Sequence, residues 1–244
     1  VAQSGSILNN RNMSDLVWQW GQFIDHDLDL SLDGSEAANI STSPTDPYFL
    51  GAPIFFNRSE FDPATGTTNP RQHLNVNSSY IDGSMIYGSD QARSDALRAH
   101  SGGRLLSTPS PTGALLPYNT MGLPNVTGPG NASDYFVAGD LRANEQTGLT
   151  SMHTLWMREH NRWADTIAAD HPTWTDDQVF KEARMVVGAE VQKITYQDWL
   201  PTLLGPGRIA PYAGYNASVT SPVATEFSSA AFRIGRPLLS PMLR

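Results

Sequence analysis

The sequence predicts a mainly helical domain with long loops. Three segments carry apolar residues at helical spacing, at about 15–30, 147–169 and 175–199. The stretches 33–70 and 107–131 are crowded with glycine, proline, asparagine and hydroxyl residues and lack sustained periodicity. Loops of this length are uncommon in a compact domain unless they bind something. With 244 residues and no repeat at solenoid periods, we expect one domain with a sizeable core.

The first helix is predicted from its apolar spacing. Leu16, Trp20, Phe23 and Ile24 fall at i, i+4, i+7 and i+8, which places them on one face of a helix. The Ser14–Asp15 pair that precedes them supplies side-chain oxygens that can cap the first turn. We therefore expect a partly buried helix at about 15–30.

Capping and stop signals frame the other helices. A short helix is expected at 90–100, because Ser89 can cap it and two glycines follow it. Thr175 opens the helix at 175–199 with two acidic residues in its first turn. Pro201 follows that segment and is predicted to stop it.

Composition narrows the function classes. The net charge of −8 and the isoelectric point near 5.1 argue against a nucleic acid or an anionic membrane as partner. The absence of cysteine excludes disulfides, thiolate zinc sites and a cysteine nucleophile within this sequence. No apolar run approaches the roughly 18 residues that a membrane span requires, so we expect no transmembrane segment. Any chemistry must therefore use histidine, carboxylates, arginine or a cofactor.

Asn-x-Ser/Thr triplets give a weak indication of export. Seven occur, at Asn12, Asn39, Asn57, Asn77, Asn125, Asn131 and Asn216. A loop-rich composition also generates such triplets, so this alternative stays open. The lack of cysteine fits a bacterial or similar source more easily than a eukaryotic secreted enzyme. We expect a secreted or extracellular protein.

The first chemical cluster lies on the first helix. Gln22, Asp25 and His26 stand at i, i+3 and i+4, so an amide, a carboxylate and an imidazole point into the same space. Their neighbours on the helix are large and apolar, where polar groups persist only with partners or a cofactor. The alternative is a solvated acidic turn in which Asp25, Asp27 and Asp29 face water.

The second cluster has the character of a cation-binding loop. Ser78, Asp82 and Ser84 place oxygen-bearing side chains at alternate positions, with Tyr80 between them. Such a loop lets side-chain and carbonyl oxygens surround a hard cation, for which calcium is the natural candidate. Because the segment has one carboxylate, a second would have to come from elsewhere, and Asp27 is available. The alternative is an ordinary polar turn.

The third cluster lies in the 138–146 loop, immediately before the long helix. Arg142 and Glu145 are three residues apart in it. The arginine can stabilise negative charge on a bound oxidant, and the glutamate can hold or bond a cofactor. The alternative is a surface ion pair.

Together these segments resemble the animal haem peroxidase family, which includes the myeloperoxidase-like enzymes. Five segments match family motifs in the family's order: 20–30, 78–89, 138–145, 149–162 and 231–239. The resemblance implies a mainly helical fold with haem b between helices. It also implies a peroxidase that reduces hydrogen peroxide and oxidises a halide or a small organic donor.

The resemblance assigns roles to individual residues. It implies that His26 is the distal base, that Arg142 is its charge partner, and that Gln22 lines the distal pocket. It also implies that Asp25 and Glu145 can form ester links to haem methyl groups. Gln146 departs from the family member that carries a sulfonium link, because that enzyme has methionine at this position.

The resemblance further implies a calcium site that ties the distal helix to the second cluster. Its ligands would be Asp27, Ser78, the Tyr80 carbonyl, Asp82 and Ser84. The ion would fix the position of the helix that carries the distal base.

One position departs from the family's proximal motif. Within 233–239 the family has an arginine, a glycine and a histidine in that order, and here Arg236 occupies the histidine position. A guanidinium has no lone pair to offer iron, so the usual axial ligand is missing. We expect Arg233 to lie near a haem propionate and Arg236 to pair with a propionate or an acidic residue.

Two alternative functions stay open, the first because of this departure and the second because the family includes it. One is a non-catalytic, calcium-stabilised scaffold or binding module that has lost proximal haem ligation. The other is a fatty-acid dioxygenase, which needs a radical tyrosine that no motif here identifies. The chain begins near the distal helix and ends after the proximal motif, so we expect the domain to be incomplete at both ends. A further chain or segment would then complete it.

Overall fold

The computed structural model describes residues 9–239, except for the side chains of Arg236 and Pro237. These residues form two compact units, one of 9–28 with 78–239 and one of Asp29–Asn77. The expectation of a single domain over 1–244 stays a prediction. Within the described ranges, none of the helices has the length and apolar composition to cross a bilayer.

The larger unit is helical, which confirms the predicted fold class. Its α-helices are α1 (Leu16–Leu28), α2 (Ser84–Tyr87), α3 (Gln91–Ala96), α4 (Thr147–Asp170), α5 (Asp176–Lys193), α6 (Leu200–Leu204) and α7 (Thr225–Ser229). Two 3-10 segments lie at Ala132–Asp134 and Ala231–Leu238. The last of these packs against α1.

An aromatic cluster joins α1 to α4 and forms the centre of the core. The ring of Trp20 lies 5.8 Å from that of Trp156, and the ring of Phe23 lies 5.1 Å from that of His153, centroid to centroid. All four side chains are buried. Burial of a large apolar side chain stabilises the fold by roughly 1.5–3 kcal/mol, so this cluster fixes the helix that carries His26.

The predicted stop at Pro201 is wrong. The helix α5 ends at Lys193, but the chain continues through a π-helical turn, Ile194–Trp199, directly into α6. Pro201 lies in the first turn of α6, where its missing N–H would have no intrahelical partner. The predicted start is confirmed, because the Thr175 hydroxyl accepts a hydrogen bond from the backbone N–H of Gln178.

The short helix is shorter than predicted. Asp90, not Ser89, caps α3 by accepting a hydrogen bond from Arg93 N at 2.8 Å. The helix ends at Ala96, and His100 adopts a left-handed conformation with φ 51°. The apolar spacing in the sequence did not predict α2, which begins at Ser84 within the predicted cation-binding loop.

The smaller unit has two short strands. Strand β1 (Asp33–Ala37) pairs antiparallel with β2 (Asn57–Ser59), with an irregularity between Asp33 and Ala37. This agrees with the lack of sustained helical periodicity in the 33–70 segment.

Candidate active site

His26 lies buried on α1 between two carboxylates. Its Nδ1 is 3.6 Å from Asp140 Oδ1, and its Nε2 is 3.9 Å from Glu145 Oε2. Burial, and after it the positive charge of Arg142, hold the pKa of His26 well below its ordinary value, although Asp140 acts in the opposite direction. The imidazole is therefore neutral at pH 7 and can accept a proton.

The buried Asp140 and the partly buried Arg142 form an ion pair within one loop. Asp140 accepts hydrogen bonds from Arg142 Nε at 2.9 Å, from Arg142 Nη2 at 2.8 Å and from the Arg142 backbone N–H at 2.8 Å. Burial alone would raise the pKa of Asp140, but the hydrogen bonds and charge of Arg142 lower it to about 2. Because the Arg142 side chain is 11% exposed, the surface-ion-pair alternative is wrong.

A chain of amides joins α1 to the start of α4. Gln22 Nε2 donates to Glu145 Oε2 at 2.9 Å, and Gln146 Nε2 donates to Gln22 Oε1 at 3.0 Å and to Gln19 Oε1 at 2.8 Å. Gln146 also caps α4 by accepting a hydrogen bond from Gly148 N. The structure therefore brings Gln22, His26 and Glu145 together, as the sequence predicts.

Asp25 pairs with the far end of the described chain. Its Oδ2 accepts a hydrogen bond from Arg233 Nη1 at 2.6 Å, so two predicted cofactor-binding residues meet. The exposed fractions of Asp25 and Asp27 are 4% and 0%, so the solvated acidic turn is wrong. The side chain of Arg236 lies outside the described residues, and its predicted pairing stays a prediction.

The carboxylate of Asp27 receives four hydrogen bonds from the 82–85 segment. Its Oδ2 accepts from the backbone N–H groups of Asp82 at 3.0 Å and Gly83 at 3.1 Å. Its Oδ1 accepts from Ser84 Oγ at 2.7 Å and Met85 N at 3.1 Å. Burial raises the pKa of Asp27 to about 6; the Ser84 hydroxyl opposes that shift and the charge of Asp82 adds to it. Positive charge at this place would favour the ionised carboxylate.

The remaining predicted calcium ligands lie in the same loop. Asp82 Oδ1 accepts a hydrogen bond from Ser84 N at 2.9 Å, and the Ser78 hydroxyl lies 3.4 Å from the Tyr80 carbonyl oxygen. In the part of the chain that the structure describes, no three His, Cys, Asp or Glu side chains group as metal ligands do. A cation here would therefore depend on serine and carbonyl oxygens as well as on two carboxylates.

Sequence reasoning missed two contributors to the site. Asp140 had no assigned role, although it stands two residues before Arg142 in a loop selected for its chemistry. Met85 contributes through its backbone, which accepts a hydrogen bond from Asp140 N at 3.0 Å and donates to Asp27 Oδ1. The position of Asp140 in a polar loop beside Arg142 could have indicated its role. The role of Met85 could not be predicted from its residue type, because only its backbone takes part.

The sequence model of one family, described as animal haem peroxidase, matches residues 1–244. The chain belongs to the animal haem peroxidase family. It is 37% identical to a human protein named probable oxidoreductase PXDNL, over 99% of this chain and 19% of that protein. This haem peroxidase family chain therefore spans about a fifth of that relative's length.

Solved structures agree with the family assignment. Peroxidase A from Dictyostelium discoideum matches with a TM-score of 0.87 and 32% identity, over 96% of this chain and 48% of that one. A fatty acid alpha-dioxygenase from Arabidopsis thaliana matches with a TM-score of 0.68 and 22% identity, over 84% of this chain and 30% of that one. The second likeness shows a shared fold alone.

Proposed function

We propose that this chain carries the peroxide-activating side of a haem peroxidase, which reduces hydrogen peroxide and oxidises a halide or a small organic donor. The observation that carries the proposal is a buried, neutral His26 in the field of a partly buried Arg142 that a carboxylate holds in place. A buried base and a fixed cation whose charge acts on it match what peroxide cleavage requires.

His26 would move the proton. Its neutral imidazole can take a proton from peroxide and return it to the departing oxygen, so one residue acts first as base and then as acid. Arg142 would stabilise the negative charge that develops as the O–O bond breaks. Gln22, held at both ends of its amide by Glu145 and Gln146, would line the space in which the peroxide lies.

The residues present fit the distal face of a haem. Haem, when bound, supplies the iron to which peroxide binds and the electrons for cleavage of the O–O bond. Asp25, Glu145 and Arg233 are the residues that would hold it, the first two with the option of ester links and the third at a propionate. The fit does not extend to the axial ligand, because Arg236 occupies the position of the family's histidine.

A spectrum of the purified chain tests the proposal. We expect a Soret band, and peroxide-driven oxidation of a small donor without added lipid. His26→Gln should slow the reaction with peroxide about 10²- to 10⁴-fold, the usual contribution of a positioned general base. His73→Gln, a change in the smaller unit, serves as the matched control. A chain that shows no Soret band after incubation with haem would contradict the proposal.

We also propose a calcium site formed by Asp27 with Ser78, Tyr80, Asp82 and Ser84. The Asp27 carboxylate is buried beside the second carboxylate of Asp82, and its pKa is raised to about 6. A divalent cation would lower the free-energy cost of keeping both carboxylates ionised. Such an ion would hold the end of α1 against the 78–84 loop.

Calcium should raise the melting temperature of the chelated chain, because a ligand that binds only the folded state stabilises it by mass action. Asp82→Ala removes one carboxylate, so it should weaken calcium binding about tenfold or more. The matched control is Asp198→Ala, an exposed carboxylate in the larger unit. Calorimetry after thorough chelation measures both effects, and no calcium-dependent gain in stability would contradict the site.

A second candidate function rests on Arg236. Without an axial histidine the chain would keep the fold and the calcium site and have little or no peroxidase turnover, as a non-catalytic scaffold does. Loss of the imidazole removes the electron donation that assists O–O cleavage. The Soret spectrum separates this candidate from the first.

Arg236→His should raise the rate of the reaction with peroxide, provided that a proximal wall orients the new imidazole. Arg208→His adds a histidine at an exposed position and is the matched control. Resonance Raman spectroscopy should then show a five-coordinate iron with an axial histidine in the Arg236→His variant and not in the control. The same signature and strong turnover in the unaltered chain would mean that another histidine ligates the iron.

The place of action that we propose is outside the cell. The support is the set of Asn-x-Ser/Thr triplets, of which Asn12, Asn39, Asn57, Asn131 and Asn216 are exposed. Asn125 differs, because its amide nitrogen donates to the Phe136 carbonyl at 2.8 Å. Hydrogen peroxide and a small reducing substrate would be the partners, with a further segment or chain to complete the domain.

A further inference from the structure

One buried carboxylate faces both members of the proposed catalytic pair. Asp140 binds the Arg142 guanidinium through both of its oxygens, and its Oδ1 lies 3.6 Å from His26 Nδ1. We infer that Asp140 is a positioning residue, which fixes the plane of the Arg142 guanidinium and keeps the proton of His26 on Nδ1. The inference rests on the proposed function for the roles of His26 and Arg142.

The two carboxylates beside His26 compete for its proton. Glu145 lies 3.9 Å from Nε2, its side chain is 38% exposed, and its Oε2 also accepts a hydrogen bond from Gln22. Asp140 is nearer to the ring, and its side chain is 3% exposed. Because water screens an exposed charge far more than a buried one, Asp140 exerts the stronger field of the two carboxylates at the ring. The proton therefore stays on Nδ1, and the lone pair lies on Nε2.

The same carboxylate fixes Arg142. Two parallel N–H···O bonds join the guanidinium plane to the carboxylate plane, and the Arg142 backbone N–H adds a third. A bidentate arrangement of this kind sets the direction of the arginine as well as its charge. The remaining part of the guanidinium is then presented in one orientation.

Backbone contacts keep Asp140 itself in place. Asp140 N donates to the Met85 carbonyl at 3.0 Å, and Met85 N donates to Asp27 Oδ1 at 3.1 Å. Asp27 follows His26 directly in α1, so the backbone of Asp140 is connected to that of His26 through Met85 and Asp27. Gly139 brings its backbone against 84–88 so closely that a side chain there would meet backbone atoms. The backbone of Asp140 therefore cannot move away from the ring without breaking these contacts, and the two bonds to Arg142 hold the carboxylate itself.

During the proposed reaction Asp140 would remain ionised. The peroxide O–H proton would move to Nε2 while Nδ1 keeps its own proton, so His26 would become an imidazolium. The adjacent carboxylate would stabilise that cation until Nε2 returns the proton to the departing oxygen. Asp140 thus acts through His26 and Arg142 and touches neither peroxide nor cofactor, in the way that a buried aspartate orients a catalytic histidine elsewhere.

Nitrogen NMR of the full chain, prepared without haem, tests the inference. At pH 7.5 we expect His26 in the Nδ1–H tautomer and an Arg142 Nε–H that exchanges slowly with solvent. Asp140→Asn replaces one acceptor oxygen by an NH2 group, which conflicts with a donor of Arg142 or His26. We expect the variant to lose Nδ1–H tautomer population and to exchange the Arg142 proton at least tenfold faster.

Asp165→Asn is the matched control, because Asp165 pairs with Arg104 at an exposed position. It should change neither signal. An Nε2–H tautomer in the unaltered chain would overturn the inference even if Asp140→Asn failed to fold. A folded Asp140→Asn chain with both signals unchanged would overturn it as well. Since both signals are measured without haem, a chain that fails to bind haem counts against the proposed function alone.

Discussion

Gly139→Ala should destabilise the protein by about 3 kcal/mol, toward the upper end of the cost of overpacking a close-packed interior. A Cβ at this position would meet the Ser84 carbonyl oxygen, the Ile86 carbonyl carbon at 2.5 Å and the Gly88 nitrogen at 2.6 Å. These are backbone atoms, so no side-chain rotation relieves the contact. The 138–146 loop must move away from α2, which carries Asp140 away from Met85 and His26.

Urea denaturation measures the effect, and Gly188→Ala is the matched control. Gly188 lies inside α5, and nothing outside its own helix lies within 4 Å of an added Cβ. Alanine should therefore stabilise that helix by roughly 0.5–1 kcal/mol, because glycine loses more backbone entropy on folding. Equal stability of the Gly139→Ala and Gly188→Ala variants would show that the close approach of the loop to α2 is not required.

Acid should destabilise the protein through two buried histidines. Burial is the largest cause that lowers the pKa of His153 and of His160 to about 4. In the unfolded chain a histidine titrates near pKa 6.5, so between about pH 6.5 and pH 4 the unfolded state binds more protons. The contribution of each neutral histidine to stability is therefore fully present above about pH 6.5 and is lost as the pH falls toward 4. At pH 5 the loss is about 2 kcal/mol for each histidine, since one pKa unit corresponds to about 1.4 kcal/mol.

The difference between a variant and the unaltered chain isolates this effect. Asp27 acts in the opposite direction, because a carboxyl whose pKa is raised to about 6 by burial favours folding as the pH falls. His160→Gln should therefore lose about 2 kcal/mol less than the unaltered chain between pH 7.5 and pH 5, in urea titrations at each pH. Tyr87→Phe removes the hydroxyl that bonds His160 Nδ1 at 2.9 Å and keeps the titrating ring, so it should retain most of the pH dependence that His160→Gln loses. An identical pH dependence for His160→Gln would contradict the assignment.

The site was predictable from sequence where it lies on one element. Gln22 and His26 share a face of α1 because helical spacing dictates it, and apolar neighbours at the same period predicted burial. The match of Arg142 and Glu145 to a family motif placed them near that face. The structure agrees, with Glu145 3.9 Å from the imidazole.

The rest depended on contacts between residues far apart in the chain. Arg233 meets Asp25 across 208 positions, and the 82–85 segment surrounds Asp27 across more than 50. Local spacing carries no information on such pairs, because they form only when separate elements pack. The continuation of α5 into α6 was missed for a related reason, since a proline signal depends on where the helical turn begins.

The sequence by itself determined the helical class, the amide, carboxylate and imidazole face of α1, and the replacement of the family's proximal histidine by Arg236. Periodicity and residue type can be read from the sequence without knowledge of the fold. Only the tertiary structure decided that Asp140 is the partner of Arg142 and the nearer carboxylate to His26. Burial determines which of several charges is weakly screened, and burial is a property of the packed molecule.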